Sequence, residues 1–162
     1  MDPSHIQDVS IVAGILTIST SRSGKEDKSG VIIQDLLREA GIPVEYTAII
    51  PDQITQIRSG LIKALETCSC VILTGGTGIT HDDCTIEAVA PLFEKTLDGF
   101  GELFRMKSFA EVGTRVILSR AAAGLIGKKV VFCIPGSTNA ATLATRDIII
   151  PEVRHILTHA NR

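Results

Sequence analysis

The sequence predicts a three-layer α/β/α sandwich around a mostly parallel sheet, and three observations lead there. Apolar runs at 9–18, 44–50, 70–73 and 129–134 alternate with segments whose apolar residues recur at helical spacing. The first run and the 70–73 run are apolar almost without a break, as strands covered on both faces are. Each run empties into a loop dense in Gly, Ser, Thr, Pro or Asp. Alternation of this kind places helices on both faces of a parallel sheet, and right-handed crossovers bring the loops after the strands to one rim.

Residues 1–8 are polar and patternless and read as a loose arm. The first strand follows at 9–18, then a polar loop at 19–29 that contains Ser21-Arg22-Ser23-Gly24-Lys25. Asp27 or Ser29 caps a helix over 30–40, which carries Ile33, Leu36, Leu37 and Ala40 on one face and ends at Gly41. The strand 44–50 delivers Pro51-Asp52 at its end, and a helix over 54–67 sets Ile54, Ile57, Leu61 and Leu65 at helical spacing. The central strand comes next, and a helix is predicted from Thr85 to Phe93 or beyond. Asp98-Gly99-Phe100-Gly101 reads as an interruption before a helix over 102–110. Residues 116–123 suit strand or helix. Alanine content and Gly124 as a stop favour helix. The strand 129–134 runs into Pro135-Gly136-Ser137, where Ser137 caps a helix with Leu143 and Ile148 on its buried side. Pro151 opens a last helix to about Thr158.

A chain of 162 residues is expected to form one domain with one substantial core. With 44% apolar and 21% charged residues it is not a disordered chain. A net charge of -2 gives no general attraction to nucleic acid or an acidic membrane. One Tyr and no Trp leave little to stack on bases, and the same shortage argues against a flavin carrier. The run 9–18 is too short to span a bilayer, so neither a nucleic-acid nor a membrane partner is expected. Cys68-Ser69-Cys70 lacks the spacing of a zinc or redox pair. All four cysteines, with Cys84 and Cys133, read as small buried side chains, which suits a cytoplasmic protein.

Four loops fall on the expected rim: 19–29, 51–53, 74–83 and 135–138. The third, Thr74-Gly75-Gly76-Thr77-Gly78, follows the central strand, and Asp83 stands five residues beyond it. Backbone N–H groups in such a loop can cradle an anion, and a carboxylate beside it can hold a metal against bound phosphates. A phosphorylated ligand with Mg²⁺ is therefore expected. The loop is neither a Walker A nor a Rossmann fingerprint. Asp83 also suits the cap or first turn of the helix from Thr85, and Asp52 suits a plain turn. His81 reads as a polar loop residue. Arg120, Lys128 and Lys129 read as surface charges unless folding brings one over the rim.

These residues resemble the molybdopterin-binding domain of molybdenum cofactor biosynthesis proteins, in particular the MoaB/Mog group, which includes the G domain of gephyrin. The resemblance rests on the glycine loop with Asp83, on Asp27-Lys28-Ser29-Gly30, on Pro51-Asp52 and on 98–105. It extends to Ser119-Arg120-Ala121, Pro135-Gly136-Ser137 and Pro151-Glu152, in order along the chain. The family pattern departs at His81 and Thr138, where Pro is common, and at Asp82, where Arg is common.

The resemblance implies a mixed sheet, and assembly as a homotrimer or a homohexamer of two trimers. It also implies MgATP-dependent adenylylation of the terminal phosphate of molybdopterin, for later metal insertion by a partner protein. On that basis Asp52 and Asp83 are the catalytic and Mg²⁺-holding acids. Gly75 to Gly78, with Thr74 and Thr77, bind phosphate. Asp27, Ser29, Gly30, Ser119, Pro135, Gly136 and Ser137 line the nucleotide and pterin pocket. Nucleotidyl transfer needs positioning and charge neutralisation more than a covalent protein group, so this set suffices. The alternative is a non-catalytic pterin- or nucleotide-binding oligomer of the same pathway.

Overall fold

A computed structural model describes residues 8–21 and 26–162. Seven residues of the expected arm, 1–7, and Arg22-Ser23-Gly24-Lys25 of the first loop lie outside the described residues. Strand β1 (Ala13–Ile18) is buried along its whole length, as its unbroken apolar run requires. It pairs in parallel with β2 (Val44–Ile50) on one side and β3 (Cys70–Thr74) on the other. Beyond β3 the parallel β6 (Lys129–Ile134) follows, then β5 (Ala122–Ile126) and the short β4 (Lys95–Thr96), both antiparallel. The sheet order is β2-β1-β3-β6-β5-β4, a mixed sheet whose core is parallel.

Register decides where the loops go. Thr17 lies beside Ile49 and Thr74, and Thr74 lies beside Ile134. The carboxyl ends of four strands are therefore level, and their loops form one rim. The chain crosses from β1 to β2 in one direction and then returns to β3 on the other side of β1. The loops of β1 and β3 thus flank the crevice at which open α/β sheets bind ligands.

Helices cover both faces. Helix α1 (Lys28–Glu39) buries Ile33 and Leu37 against one face, together with α4 (Asp98–Val112), α5 (Thr138–Ala144) and α6 (Ile150–Ala160). Helix α2 (Ile54–Leu65) buries Ile57, Leu61 and Ala64 on the other, beside α3 (Thr85–Val89). Alternation along each strand feeds both cores: Ile15, Ile72 and Phe132 point one way, Leu16, Leu73 and Cys133 the other. Cys68 and Cys70 fall in opposite cores, although residues two apart on a strand share a face, because Cys68 lies before β3 begins. All four cysteines are free thiols, and Cys84 is half-buried rather than enclosed.

Several expectations give way to tertiary structure. Residues 116–123 are not helix. They form a 3₁₀ turn (Gly113–Leu118) and then enter β5, where Ala123 pairs with Phe132. Gly124, expected to stop a helix, sits mid-strand opposite Val131 because the Phe93 ring packs on it and leaves no room for a Cβ. Helix α4 starts at Asp98, not after it. Asp98 in the first turn suits the helix dipole, and the turn seats Phe100 edge-on against Phe132 with ring centres 5.1 Å apart. The helix from Thr85 ends at Val89, and Pro91 sits in a 3₁₀ turn over Ala90–Leu92. β1 begins at Ala13 because the backbone of Val12 is taken up by Ser69 and Cys70. Between α5 and α6 a single π turn, Thr145–Ile149, keeps the helix continuous. It widens the ladder just before Pro151, which has no N–H to give it.

Candidate phosphate and cation site at the strand rim

The rim is built outward from β1. Thr17, near its end, donates its hydroxyl to Asp27 Oδ2 at 2.8 Å, and Asp27 Oδ1 accepts from Gly30 N at 2.9 Å. Asp27 is thus the N-cap of α1 and ties that helix to the first strand. Ser29, the other candidate cap, is fully buried as the second residue of α1, and its hydroxyl has no hydrogen-bond partner among the described residues. One residue past β1 and Ser19, Thr20 reaches across to the second loop. Its N–H and hydroxyl both donate to Asp52 Oδ2, at 3.1 and 3.0 Å, and Asp52 N donates back to Thr20 Oγ1 at 3.2 Å. Asp52 is therefore more than a turn residue. One oxygen is anchored and the other lies over the glycine loop, 3.3 Å from where a Cβ of Gly76 would stand.

The glycine loop is fixed by its carbonyls and by Gly75 N, which donates to Ile134 O at 2.9 Å. Gly75 is therefore not the backbone phosphate donor expected of it, and the N–H groups after it are left available. Gly75 and Gly76 have φ of +105° and +70°, a region that side chains rarely adopt. A Cβ on Gly75 would also collide with the backbone carbonyl of Ile18. Gly75 O accepts from the buried Thr85 hydroxyl at 2.8 Å and Gly76 O from Thr85 N at 3.0 Å. Thr77 O accepts from Arg120 N at 3.2 Å and Gly78 O from Arg120 Nε at 2.9 Å. By contrast, the N–H groups of Gly76, Thr77 and Gly78 donate to no described residue. Three successive unpaired N–H groups form a nest of the kind that binds anions.

Asp83 closes the loop without capping the helix after it. Its Oδ2 accepts from Thr80 N at 2.9 Å and from the Thr80 hydroxyl at 2.8 Å, and the α3 N-cap is Cys84, with no side-chain bond. That carboxylate stands against Gly78, 2.7 Å from where a Cβ would be. Asp52 and Asp83 thus border the nest at its two ends. Thr74 completes the rim, its buried hydroxyl donating to Pro135 O at 3.1 Å. Beyond Pro135 and Gly136, Ser137 caps α5 by accepting from Ala140 N at 3.2 Å. Ser119 lies at the same rim, because antiparallel β5 begins where β6 ends.

Two residues that sequence patterns leave in the background hold this loop. Thr85 reads in the sequence only as a helix start, yet it binds two loop carbonyls. Arg120 reads as a surface charge, yet it grips the loop and pairs its guanidinium with Glu87. The sequence signal for Arg120 was its place in Ser119-Arg120-Ala121. The hydrogen bond from Arg120 holds the Glu87 carboxyl below its usual range. Cys84 shows the sign of the local field: burial first, then Asp52, Glu87, Asp83 and Asp82, push its thiol up. A thiol so placed is no thiolate nucleophile.

Four acids around the loop favour a divalent cation and oppose a bare phosphate. Among the described residues no group of three or more His, Cys, Asp or Glu is placed to hold a metal. Mg²⁺ is commonly held by one or two carboxylates plus the substrate's own phosphates, so Asp52 and Asp83 fit it as a pair. The fold and the rim together define a class: an α/β protein with an anion nest between two acids at the topological switch point.

The family described as "Probable molybdopterin binding domain" matches residues 14–155. The chain belongs to this molybdenum cofactor biosynthesis family, with MoaB/Mog structures as its neighbours. It is 45% identical over 154 residues to molybdenum cofactor biosynthesis protein B of Staphylococcus carnosus, covering 93% of this chain and 91% of that one. It is 45% identical over 151 residues to the protein of the same name from Bacillus cereus, at 91% and 89% coverage. A crystal structure of a molybdenum cofactor biosynthesis protein B superposes with a TM-score of 0.91 at 43% identity, covering 95% of this chain and 98% of that one. The tungsten cofactor synthesizing protein MoaB from Pyrococcus furiosus gives 0.87 at 41% identity, covering 94% and 98%.

Proposed function

We propose that the chain acts in molybdenum cofactor biosynthesis as a molybdopterin adenylyltransferase. The observation that carries this reading is the nest of unpaired N–H groups at Gly76, Thr77 and Gly78, bordered by Asp52 and Asp83. Such a nest takes the oxygens of a phosphate, and the rim beside it offers Asp27 to Gly30, Ser119 and Pro135 to Ser137 for the nucleotide and pterin. In the reaction, an oxygen of the molybdopterin phosphate attacks the α-phosphorus of ATP. The new P–O bond gives adenylyl-molybdopterin, and the bond to the β-phosphate breaks to release pyrophosphate. The residues supply position and charge. The nest fixes one phosphate, and the anchoring of Asp52 by Thr20 and of Asp83 by Thr80 sets the distance across which the two phosphates meet. Asp52 and Asp83 would hold Mg²⁺, which neutralises charge on the reacting phosphates.

The test is pyrophosphate release by the purified chain given molybdopterin, ATP and Mg²⁺. Asp83→Asn is expected to abolish release with an unchanged circular dichroism spectrum. Absence of release by the wild type, with an active enzyme working alongside, would overturn the reading. A second reading is a non-catalytic pterin- or nucleotide-binding oligomer, and Asp82 favours it, since a third carboxylate beside Asp83 adds repulsion to any phosphate. Calorimetric binding of molybdopterin or ATP without product would select that reading.

Self-association belongs to the same proposal. Met106, Phe109, Ile117 and Leu118 are exposed on α4 and the 3₁₀ turn after it, with Ile117 at 80%. Exposed apolar side chains on these two neighbouring elements suit burial in a homotrimer or in a hexamer of two trimers. A cytoplasmic setting fits the four free thiols. Delivery of the product to a metal-insertion partner would follow. Among the described residues no helix is long and apolar enough to cross a membrane.

A further inference from the structure

At the end of the sheet opposite the rim, a cavity of about 510 Å³ lies between β4, the β5–β6 turn and the last turns of α6. His155 and His159 both line it. They stand four residues apart on one helix, so their side chains share a face. Their Nε2 atoms are 3.0 Å apart, and the rings meet edge to face with centres at 4.8 Å. His155 Nδ1 lies 3.2 Å from Glu152 Oε2, one turn earlier on the same helix. An ionised carboxylate only accepts, so Glu152 keeps the proton of His155 on Nδ1 and leaves the Nε2 lone pair directed at His159. Two imidazole nitrogens at this distance need something positive between them. A proton on His159 Nε2 supplies it in the metal-free pair, and a cation would draw both lone pairs.

We propose that His155 and His159 form a two-histidine clip for a borderline-soft divalent cation of the zinc class, with Glu152 as a positioning residue. Zinc sits about 2.0–2.1 Å from each imidazole nitrogen, so two nitrogens 3.0 Å apart both reach one ion with little movement. Imidazole selects zinc, nickel or copper over magnesium and calcium. A carboxylate on the remote nitrogen is the arrangement that fixes the tautomer of metal-bound histidine and raises its basicity. Among the described residues no third His, Cys, Asp or Glu completes a set of three, so the ion keeps open positions. Those positions face a cavity with Leu97, Leu125 and Ile156 in its lining. Of the charged groups there, Glu94 accepts from Gly127 N at 3.0 Å, and Lys95 and Arg162 supply the cations. The clip is independent of the reaction proposed for the rim. Oxygen donors there and imidazoles here would sort Mg²⁺ from Zn²⁺ within one chain.

The test uses the full chain, stripped of metal with a chelator and titrated calorimetrically with zinc chloride. One zinc ion per chain is expected at this clip, undisturbed by excess Mg²⁺. His159→Ala should weaken it at least tenfold, and Glu152→Gln about tenfold through His155. Zinc should shift the imidazole ¹⁵N resonances of both histidines. His159 is exposed, so its substitution leaves the fold intact, and the circular dichroism spectrum checks this. Absence of zinc binding at millimolar concentration would overturn the proposal. So would binding of unchanged affinity in His159→Ala, or binding lost with Cys84→Ser or Asp83→Asn instead.

Discussion

Gly75 is the residue on which the rim depends most. It combines a φ of +105° with a backbone approach to Ile18 that leaves no space for a Cβ. Gly75→Ala is expected to cost about 1–3 kcal/mol, read as a lower denaturant midpoint at unchanged slope. Glu87 and Arg120 act at the same scale, since the pair secures the residue that grips Thr77 and Gly78. The Glu87 carboxyl titrates below its ordinary 4.5 in the fold, mainly through its hydrogen bond from Arg120. Its contribution is therefore complete above that ordinary value and is lost as pH falls through the depressed one. Because Glu87 is 44% exposed, screening keeps the effect below about 1 kcal/mol. Wild type should be more stable than Glu87→Gln at neutral pH, and the difference should close in acid. A difference that persists in acid would refute this assignment.

Among the elements, β5 is the one whose neighbours made it a strand. Its five residues, Ala-Ala-Gly-Leu-Ile, carry no strand propensity strong enough to override the alanines. Pairing with β6 and the Phe93 ring on Gly124 decide the matter. Gly124→Val raises local strand propensity yet should destabilise, by about 1–3 kcal/mol, because the ring must be displaced. An increase in stability would show that propensity outweighs packing here. On the other strand of this hairpin, Phe132 is 1% exposed and packs edge-on to Phe100. Phe132→Ala should cost about 3–5 kcal/mol in the same denaturation experiment.

For the whole molecule, the self-association proposed above would bury the exposed apolar residues of α4 and its following turn. Ile117→Glu, at a position 80% exposed in the single chain, should leave the monomer folded and reduce the sedimenting mass to that of one chain. An unchanged mass would place the contact elsewhere. The level ends of β1, β2, β3 and β6 act at this scale too. They bring to one crevice the loops that carry Asp52 and Asp83, which are 31 positions apart in the chain, and Thr20 and Thr80 then set the two acids.

The sequence by itself determined the parallel core, both helical layers and the membership of the rim. Each of those follows from local pattern: apolar runs, helical spacing, and glycines or acids at strand ends. It also determined that Ser137 caps a helix and narrowed the cap of α1 to Asp27 or Ser29, because a cap is a contact over three residues; the structure chose Asp27. Only the tertiary structure decided that residues 122–126 are a strand, that α4 begins at Asp98, and that Thr20, Thr85 and Arg120 hold the site. Those outcomes rest on partners distant in the chain, such as Phe132 for Phe100 and Gly78 for Arg120. Local periodicity carries no record of such partners, because the free energy that selects them comes from packing and hydrogen bonds formed after the chain has closed on itself.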